Sequence, residues 1–174
     1  MSGPGMPESA SQVAWALSIV GDRWTLLIMR ELRLGSHRFE EIHAQTGISS
    51  HLLCMRLKRM EADGIVARCL YQAHPPRYQY GVTAMGRQLD DVLLALRNWA
   101  LAWGPWPAGH PPAVTLRDRA TGALIGRSSA GAAVAWPFSF DDVEVTLSEV
   151  FRQERAARTA AFRRNKRKSK KARD

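Results

Sequence analysis

The sequence is poor in cysteine, with only Cys54 and Cys69 among its 174 residues. These two residues form no CxxC pair or Cys/His cluster, which argues against a disulfide framework or a structural zinc site and suits a reducing compartment. Long apolar runs are missing as well, since none approaches the ~20 residues that span a bilayer. Residues 2–9 lack the basic and apolar segments of a secretory signal. We therefore expect a cytoplasmic protein with no membrane partner.

Patterns that carry catalysis are also missing. The five histidines have no metal-ligand spacing, and the sequence contains neither a nucleophile elbow nor a phosphate-cradling glycine loop. The acidic pairs Asp90-Asp91 and Asp141-Asp142 join neighbours that point in different directions on a helix or a strand. We predict that the chain is not an enzyme and that it has neither a metal site nor a cofactor.

The positive charge is concentrated at one end of the chain. Residues 151–174 hold 11 of the 25 Lys and Arg residues and two acids, whereas residues 1–150 carry 14 basic and 14 acidic side chains. The basic run from Arg163 to Arg173 has almost nothing apolar to bury, so we expect residues 163–174 to be unfolded when alone. Such a run favours polyanions such as nucleic acid. A tail that only increases solubility fits the same composition.

The rest of the chain is apolar enough to bury a core, since 45% of all residues are hydrophobic. From Val13 to Leu34 the apolar positions have helical spacing with one interruption, which predicts two short helices with Asp22 capping the second. A third helix is predicted over 39–45 and a longer one from Ser49 to Asp63. Gly64 is well placed to end this longer helix in the left-handed conformation.

A change of period marks the next segment. Residues 65–71 and 78–82 are rich in β-branched and aromatic side chains and flank a polar tip with two prolines, which predicts a hairpin. Thr83 then caps a predicted helix that reaches about residue 103 and carries a wide apolar stripe. This stripe exceeds what a small monomer needs, so we expect it to form a homodimer interface. Its members are Leu89, Val92, Leu96, Trp99 and Trp103.

The last third of the chain is predicted in less detail. Four prolines between residues 104 and 112 indicate an irregular linker. Beyond it we predict a small hairpin over 114–125, a strand over 143–147 and a helix capped by Ser148. We predict a disordered segment at residues 1–10 and a main DNA-binding and dimerisation domain at residues 11–104. A proline-rich linker at 105–112, a small α+β extension at 113–162 and a basic disordered tail at 163–174 follow.

Helix, glycine-containing turn, longer helix and hairpin, in this order, form a winged helix-turn-helix. The fold class is therefore mainly α with a small β wing. The major groove of B-DNA is ~12 Å wide and admits one helix, whose N-terminal side chains reach the base edges. Leu53, Leu57 and Met60 share one side of the longer helix, which leaves a polar and basic side for double-stranded DNA. The predicted DNA contacts are Arg38, Ser49, Ser50, His51, Cys54, Met55, Arg56, Lys58, Arg59, His74 and Arg77.

Several of these residues have a second interpretation. Residues 49–51 could be ordinary capping residues rather than base contacts. Arg56 could clamp a phosphate or pair with Glu31 or Glu61. The hairpin tip could enter the minor groove, where arginine is attracted to narrow A/T tracts, or be solvated. Oxidation of Cys54 would place a negative group against DNA, but no activating base is evident, and an inert thiol is favoured.

Short segments in unbroken order over residues 13–103 carry a family resemblance. They are Gly21-Asp22-Arg23-Trp24-Thr25-Leu26-Leu27-Ile28, Leu34-Gly35 with Arg38-Phe39, Gly47-Ile48-Ser49, Arg56-Leu57, Gly64-Ile65-Val66, Tyr80-Gly81-Val82-Thr83 and Gly86-Arg87. Together they resemble the HxlR family of bacterial regulators, relatives of the MarR family. The resemblance implies a dimeric winged-helix transcription factor whose N-terminal helix, with Val13 and Leu17, joins the dimer interface.

Four positions depart from the family pattern. Many members have Cys-Pro where this chain has Ser11-Gln12, and because a hydroxyl cannot form a disulfide, the thiol-sensing version is disfavoured. His51 replaces a frequent Lys, and Met55 replaces a frequent Gln. Methionine cannot make the bidentate adenine contact of glutamine, so we expect a weaker preference or contact with a thymine methyl group at that step.

The sequence therefore predicts a sequence-specific transcriptional regulator that binds a pseudo-palindromic operator as a homodimer. The Trp99, Trp103 and Trp106 series is interpreted as dimer core, and an aromatic pocket between subunits is where a small apolar effector would bind. The alternative function is a winged-helix scaffold for protein interactions whose tail binds nucleic acid or an acidic partner. A ligand-binding enzyme in the C-terminal section would require a perturbed acid or base that the sequence does not reveal.

Overall fold

The computed structural model describes residues 10–107, 109–126 and 137–171. The chain divides into two compact units, and the boundary lies between Arg87 and Gln88. The sequence-based boundary after residue 104 therefore falls inside the second unit. Of the N-terminal segment predicted to be disordered, residues 1–9 lie outside the described residues.

The first unit begins with the four predicted helices. Asp22 caps the second, as expected, by accepting hydrogen bonds from the backbone N–H groups of Trp24 and Thr25 at 2.8 and 3.2 Å. Gly47 and Gly64 have φ values of 68° and 79°, which an L side chain rarely adopts, and they end the third and fourth helices. The helices are α1 Gln12–Val20, α2 Thr25–Arg33, α3 Phe39–Thr46 and α4 Ser50–Ala62.

The core of this unit lies where α2, α3 and α4 meet. Each helix contributes side chains that are almost completely buried, and burial of this size contributes about 1.5–3 kcal/mol per large apolar side chain. The buried set comprises Ile28, Met29, Leu32, Ile42, Ile48, Leu53, Leu57 and Met60. The predicted apolar side of the long helix, α4, is therefore confirmed.

A two-stranded antiparallel wing follows α4. It consists of β1 Val66–Gln72 and β2 Arg77–Val82, with Val66 opposite Val82 and Leu70 opposite Tyr78. The side-chain amide of Gln72 donates to the carbonyl oxygens of His74 and Pro75 at 3.0 and 3.3 Å, which braces the proline-containing tip.

The stripe predicted as one helix from Thr83 to about residue 103 is interrupted. The structure has a short α5, Ala84–Arg87, and a separate α6, Asp90–Trp103. Helix α5 lies against the start of the wing, where a Cβ at Gly86 would be 2.1 Å from the carbonyl oxygen of Ile65. The N terminus of α6 is held in the second unit instead, because Asp90 and Asp91 accept the backbone N–H groups of Phe140 and Phe138. The predicted helix is therefore interrupted between α5, which packs in the first unit, and α6, which is held in the second unit.

The second unit contains α6 and a three-stranded antiparallel sheet. Its strands are β3 Val114–Asp118, β4 Leu124–Ile125 and β5 Val143–Leu147, in the spatial order β4-β3-β5. Leu94 of α6 is buried with Leu116, Phe138 and Val143 in a small core. The predicted hairpin and strand are present, and β5 pairs with β3.

The C-terminal helix α7, Glu149–Lys171, overturns one expectation. The Oγ of Ser148 accepts the backbone N–H of Phe151 and caps the helix as predicted. The helix then continues through the basic run, so residues 163–171 are helical rather than unfolded. Its four alanines and many arginines and lysines have high intrinsic helix propensity, which the argument from charge alone ignored. Residues 172–174 lie outside the described residues.

Among the residues that the structure describes, no helix has the length and apolar character that crossing a membrane requires. The same residues contain no group of three or more His, Cys, Asp or Glu side chains arranged to hold a metal ion.

Candidate nucleic-acid interface

Helix α4 has two contrasting sides. Ser49 caps it, and its Oγ accepts the backbone N–H of Leu52 at 3.3 Å. Leu53, Leu57 and Met60 are buried on the inner side. The outer side is exposed, and we call it the recognition surface; its members are Ser50, His51, Cys54, Met55 and Lys58. These side chains, all predicted from the sequence, lie on one side of one helix.

The turn between α3 and α4 fixes the angle at which the recognition surface is presented. The Oγ1 of Thr46 donates to the carbonyl oxygen of Ile42 at 2.8 Å, and Gly47 turns the chain in the left-handed conformation. Ile48 is then buried against the core. This turn places a short bracing helix behind α4, which is the arrangement of a helix-turn-helix.

Arg56 has a partner that the sequence analysis did not name. Its Nη1 lies 3.2 Å from Oδ2 of Asp22, in the corner between α1 and α2. The acids considered from the sequence were Glu31 and Glu61, but Glu31 pairs with Arg30 at 2.7 Å. Arg56 therefore joins α4 to the corner between α1 and α2. A contact of Arg56 with DNA phosphate stays a prediction.

Asp22 is held in its charged form by this arrangement. Partial burial alone would raise the pKa of its carboxyl, but hydrogen bonds from the Thr25 side chain and from the backbone of Trp24 and Thr25, with the charge of Arg56, outweigh burial. The net result is a pKa below the usual value for aspartate. The same carboxylate thus starts α2 and holds the arginine of α4.

Arg59 is exposed but not independent. Its Nε donates to Oδ2 of Asp63 at 2.9 Å, an i,i+4 ion pair at the C-terminal end of α4. The Asp63 side chain is almost fully buried, which fixes one end of the pair. Arg59 therefore lies toward the C terminus of the helix, away from Ser50 and His51 at its N terminus.

The wing is tied to the start of α3. The backbone N–H of Tyr80 donates to the carbonyl oxygen of His37 at 2.8 Å, and Arg38 pairs with Gln79 as an isolated β-bridge. The guanidinium of Arg38, a predicted contact, lies 4.7 Å from the ring centre of Tyr71. The residues that precede α3, His37 and Arg38, are thereby joined to the wing.

The wing also carries a cation that the sequence analysis missed. Arg68 is exposed, and its guanidinium lies 3.6 Å from the ring centre of Tyr78. A hydrogen bond with Tyr78 raises the pKa of Arg68 above its ordinary value, which keeps the guanidinium positively charged. The available signal was a basic residue within a predicted wing strand, because burial does not alternate along residues 67–70 of β1. His74 and Arg77 are exposed at the tip, as expected for solvated or DNA-facing residues.

Most side chains of the predicted dimer interface are apolar and exposed. Trp99 and Trp103 of α6 are 66% and 74% exposed, and Val92 and Leu96 also face outward. Val13 and Leu17 of α1 are exposed as well, whereas Leu89 is half-buried. Exposed apolar surfaces such as the one on α6 mark interaction sites in soluble proteins.

A capped recognition helix on a bracing helix, followed by a hairpin wing, defines a winged helix-turn-helix DNA-binding protein. The family model described as HxlR-like helix-turn-helix matches residues 19–106, and the chain belongs to this family of transcriptional regulators. The resemblance noted from the sequence is confirmed. This is a family of DNA-binding regulators and not of enzymes.

Individual relatives agree with this assignment. The chain is 36% identical over 110 residues to the uncharacterized HTH-type transcriptional regulator Rv3095 of Mycobacterium tuberculosis, covering 63% of this chain and 68% of that protein. It is 36% identical over 84 residues to the uncharacterized HTH-type transcriptional regulator YtfH of Escherichia coli, covering 48% of this chain and 67% of that protein.

A solved structure extends the likeness into the second unit. The crystal structure of PA1607 matches with a TM-score of 0.61 and 25% identity, covering 80% of this chain and 96% of that one. Since the first unit is half of the chain, a match of this extent includes part of the residues after Arg87.

Proposed function

We propose that this regulator binds a pseudo-palindromic operator as a homodimer in the cytoplasm and controls a nearby operon. Two copies of α4, related by a two-fold axis, would enter successive major grooves about one helical turn, ~10 bp, apart. The proposal assigns base reading to the N-terminal half of α4 and attachment of the flank to the wing.

The recognition surface is the observation that carries this proposal. His51 and Met55 are exposed one helical turn apart, on the side of α4 opposite Leu53 and Leu57. Burial of the inner side packs α4 against the core of the unit. The exposed His, Met and Lys side chains on the outer side have no role in that packing. A helix in the major groove uses such positions, since the groove displays hydrogen-bonding groups and thymine methyls.

The wing supports a flanking contact. His74 and Arg77 are exposed at the tip of a hairpin whose backbone is braced by Gln72. An arginine on a firm loop suits the minor groove, where the potential is most negative over A/T tracts. Arg68, on the same hairpin, would add a phosphate contact.

The homodimer is inferred from the exposed stripe on α6. Val92, Leu96, Trp99 and Trp103 recur at spacings of four, three and four residues, so they form one continuous side of the helix. Burial of such a stripe contributes about 25 cal/mol for each Å² of apolar surface removed from water. A small apolar effector would act at this aromatic surface, because clefts with few polar groups are what such ligands occupy.

An electrophoretic mobility shift with the DNA upstream of the protein's own gene tests the proposal. We expect a complex that survives an excess of scrambled duplex and contains two protomers. His51→Ala should change the preference among operator variants, because its side chain lies at the N-terminal end of the recognition surface.

Two outcomes would contradict the proposal. One is equal competition by the scrambled duplex, which would favour the scaffold alternative. The other is a His51→Ala protein with unchanged preference while substitutions on the wing alter it. A wing variant, Arg77→Ala, serves as the comparison, since it should weaken binding across sequences more evenly.

A further inference from the structure

We propose that the C-terminal part of α7 is a second DNA-binding element, a rigid cationic helix that holds the phosphate backbone of duplex DNA without reading its sequence. The inference rests on the proposed function only for the identity of the polyanion. It concerns a different unit of the chain and a different mode of binding from the recognition surface.

The charge on α7 is divided between its two ends. In the N-terminal half, Arg152 lies 3.3 Å from Glu149, and Arg158 pairs with Glu154. After Glu154 the sequence has no acid until Asp174. The C-terminal part of α7 therefore has many cations and no acid of its own. Its exposed cations include Arg163, Arg164, Lys166, Arg167, Lys168 and Lys171, and we call Arg163, Arg164, Arg167 and Lys171 the cationic face.

The cationic face lies on one side of the helix. At 3.6 residues per turn, Arg163, Arg164, Arg167 and Lys171 fall within about 100° of the helix circumference. Phe151 and Phe162 lie on the opposite side, and both are half-buried. The helix thus places the cationic face opposite a partly covered aromatic side, although exposed Lys166 lies nearer to Phe162. A chain that was unfolded here would not have this arrangement.

Length and charge density fit duplex DNA. From Arg163 to Lys171 the helix rises about 12 Å, and duplex DNA carries about seven phosphate charges over that length of axis. Because the arginines are already ordered on a helix, fewer conformations are lost on binding than for an unfolded tail. Tethering in the same chain as a DNA-binding domain raises the effective concentration of the duplex at α7.

Salt dependence provides the test. The full chain is compared with a variant in which Arg163, Arg164 and Arg167 are all changed to Gln, and binding to a scrambled duplex is measured by fluorescence anisotropy over a series of salt concentrations. The slope of log K against log salt is negative, and each lost phosphate contact reduces its magnitude by about 0.9, so we expect the slope to become less steep by about 2 to 3. The affinities for the scrambled and the upstream duplex should fall by the same factor.

The matched control changes Arg152, Arg155 and Arg158 to Gln. This variant removes the same net charge from the same helix. In this part, however, Arg152 and Arg158 have acid partners, and the guanidinium carbon of Arg155 lies 5.6 Å from the ring centre of Phe151. We expect a clearly smaller change in slope. Circular dichroism checks that both variants keep their helix, since Gln and Arg have similar helix propensity.

Three results would overturn the inference. The first is an unchanged salt slope in the variant of Arg163, Arg164 and Arg167, and the second is an equal change of slope in both variants. The third is a wild-type protein from which single-stranded RNA or polyglutamate displaces the labelled scrambled duplex more readily than the same unlabelled duplex does. Failure of the operator proposal is distinguishable, because it removes the preference for the upstream duplex in the wild type and leaves the difference between the two variants intact.

Discussion

The guanidinium of Arg56 lies 3.2 Å from the carboxylate of Asp22, which joins the middle of α4 to the corner between α1 and α2. The same carboxylate caps α2 through the backbone of Trp24 and Thr25. The recognition helix and the start of the second helix are therefore held by one side chain. A change at Asp22 affects both the stability of the unit and the setting of α4.

Replacing Asp22 with Ala removes the cap and the ion pair together. We expect a loss of about 1–2 kcal/mol in the free energy of unfolding, mostly from the cap, and urea denaturation measures it. Arg56→Ala removes only the partly exposed ion pair and should cost less than about 1 kcal/mol. If the two variants lose the same amount, the cap is not the main contribution.

The stability should also depend on pH through Asp22. Because the folded pKa lies below the ordinary value, the carboxylate contributes stability that is present above the unfolded pKa, near 3.8, and is lost as the pH falls through the folded pKa. Asp22→Asn lacks this contribution. The difference in unfolding free energy between wild type and Asp22→Asn should therefore shrink as the pH is lowered from about 5 toward 3.

Urea titrations at several pH values make this comparison. The exposed Asp118 also has a lowered pKa, through hydrogen bonds from the backbone and side chain of Thr121, but it is present in both proteins and cancels in the difference. A gap that stays constant over the acid range would rule out a role for the Asp22 charge.

Met55 should determine base preference at one position of each half-site. Met55→Gln introduces an amide that can bind adenine with two hydrogen bonds, so we expect a gain in preference for adenine of about 1–3 kcal/mol. Sequencing of duplexes selected from a random pool measures the change. Met85 on α5 is also exposed, 43% against 54% for Met55, and Met85→Gln is the matched control. An identical shift in both variants would refute the assignment.

Leu96 should be required for dimerisation. Leu96→Glu places a charge in the apolar stripe of α6, and burying an unpaired charge is costly, so the dimer should dissociate. Sedimentation analysis over a concentration series reports the change. Leu70 on the wing has a similar exposure, 55% against 47%, and Leu70→Glu should leave the association state unchanged. Dissociation in both variants, or in neither, would count against the α6 interface.

Much of the first unit could be predicted because its signals are local. Three local signals each specify the backbone within a few residues: the capping carboxylate of Asp22, the glycines that require positive φ at positions 47 and 64, and the β-branched and aromatic residues of the wing. The recognition surface followed from helical spacing, since the buried positions Leu53 and Leu57 determine which side is left outside.

Contacts between distant segments could not be predicted in the same way. The partner of Arg56 is 34 positions away in the sequence, and no local pattern distinguishes Asp22 from Glu31 or Glu61. The break before α6 depends on Asp90 and Asp91 binding backbone groups near Phe138, 47 and 50 positions further along. The helical state of residues 163–171 was missed for another reason, because net charge was given more weight than helix propensity.

Missing-base interference on the bound upstream fragment tests the central claim most directly. If two copies of α4 read the operator, removal of single bases should abolish binding in two clusters, related by a two-fold axis and about one helical turn, ~10 bp, apart. The Met55→Gln protein should alter the required base within both clusters. Binding that depends on no particular base, or on one cluster only, would contradict the account.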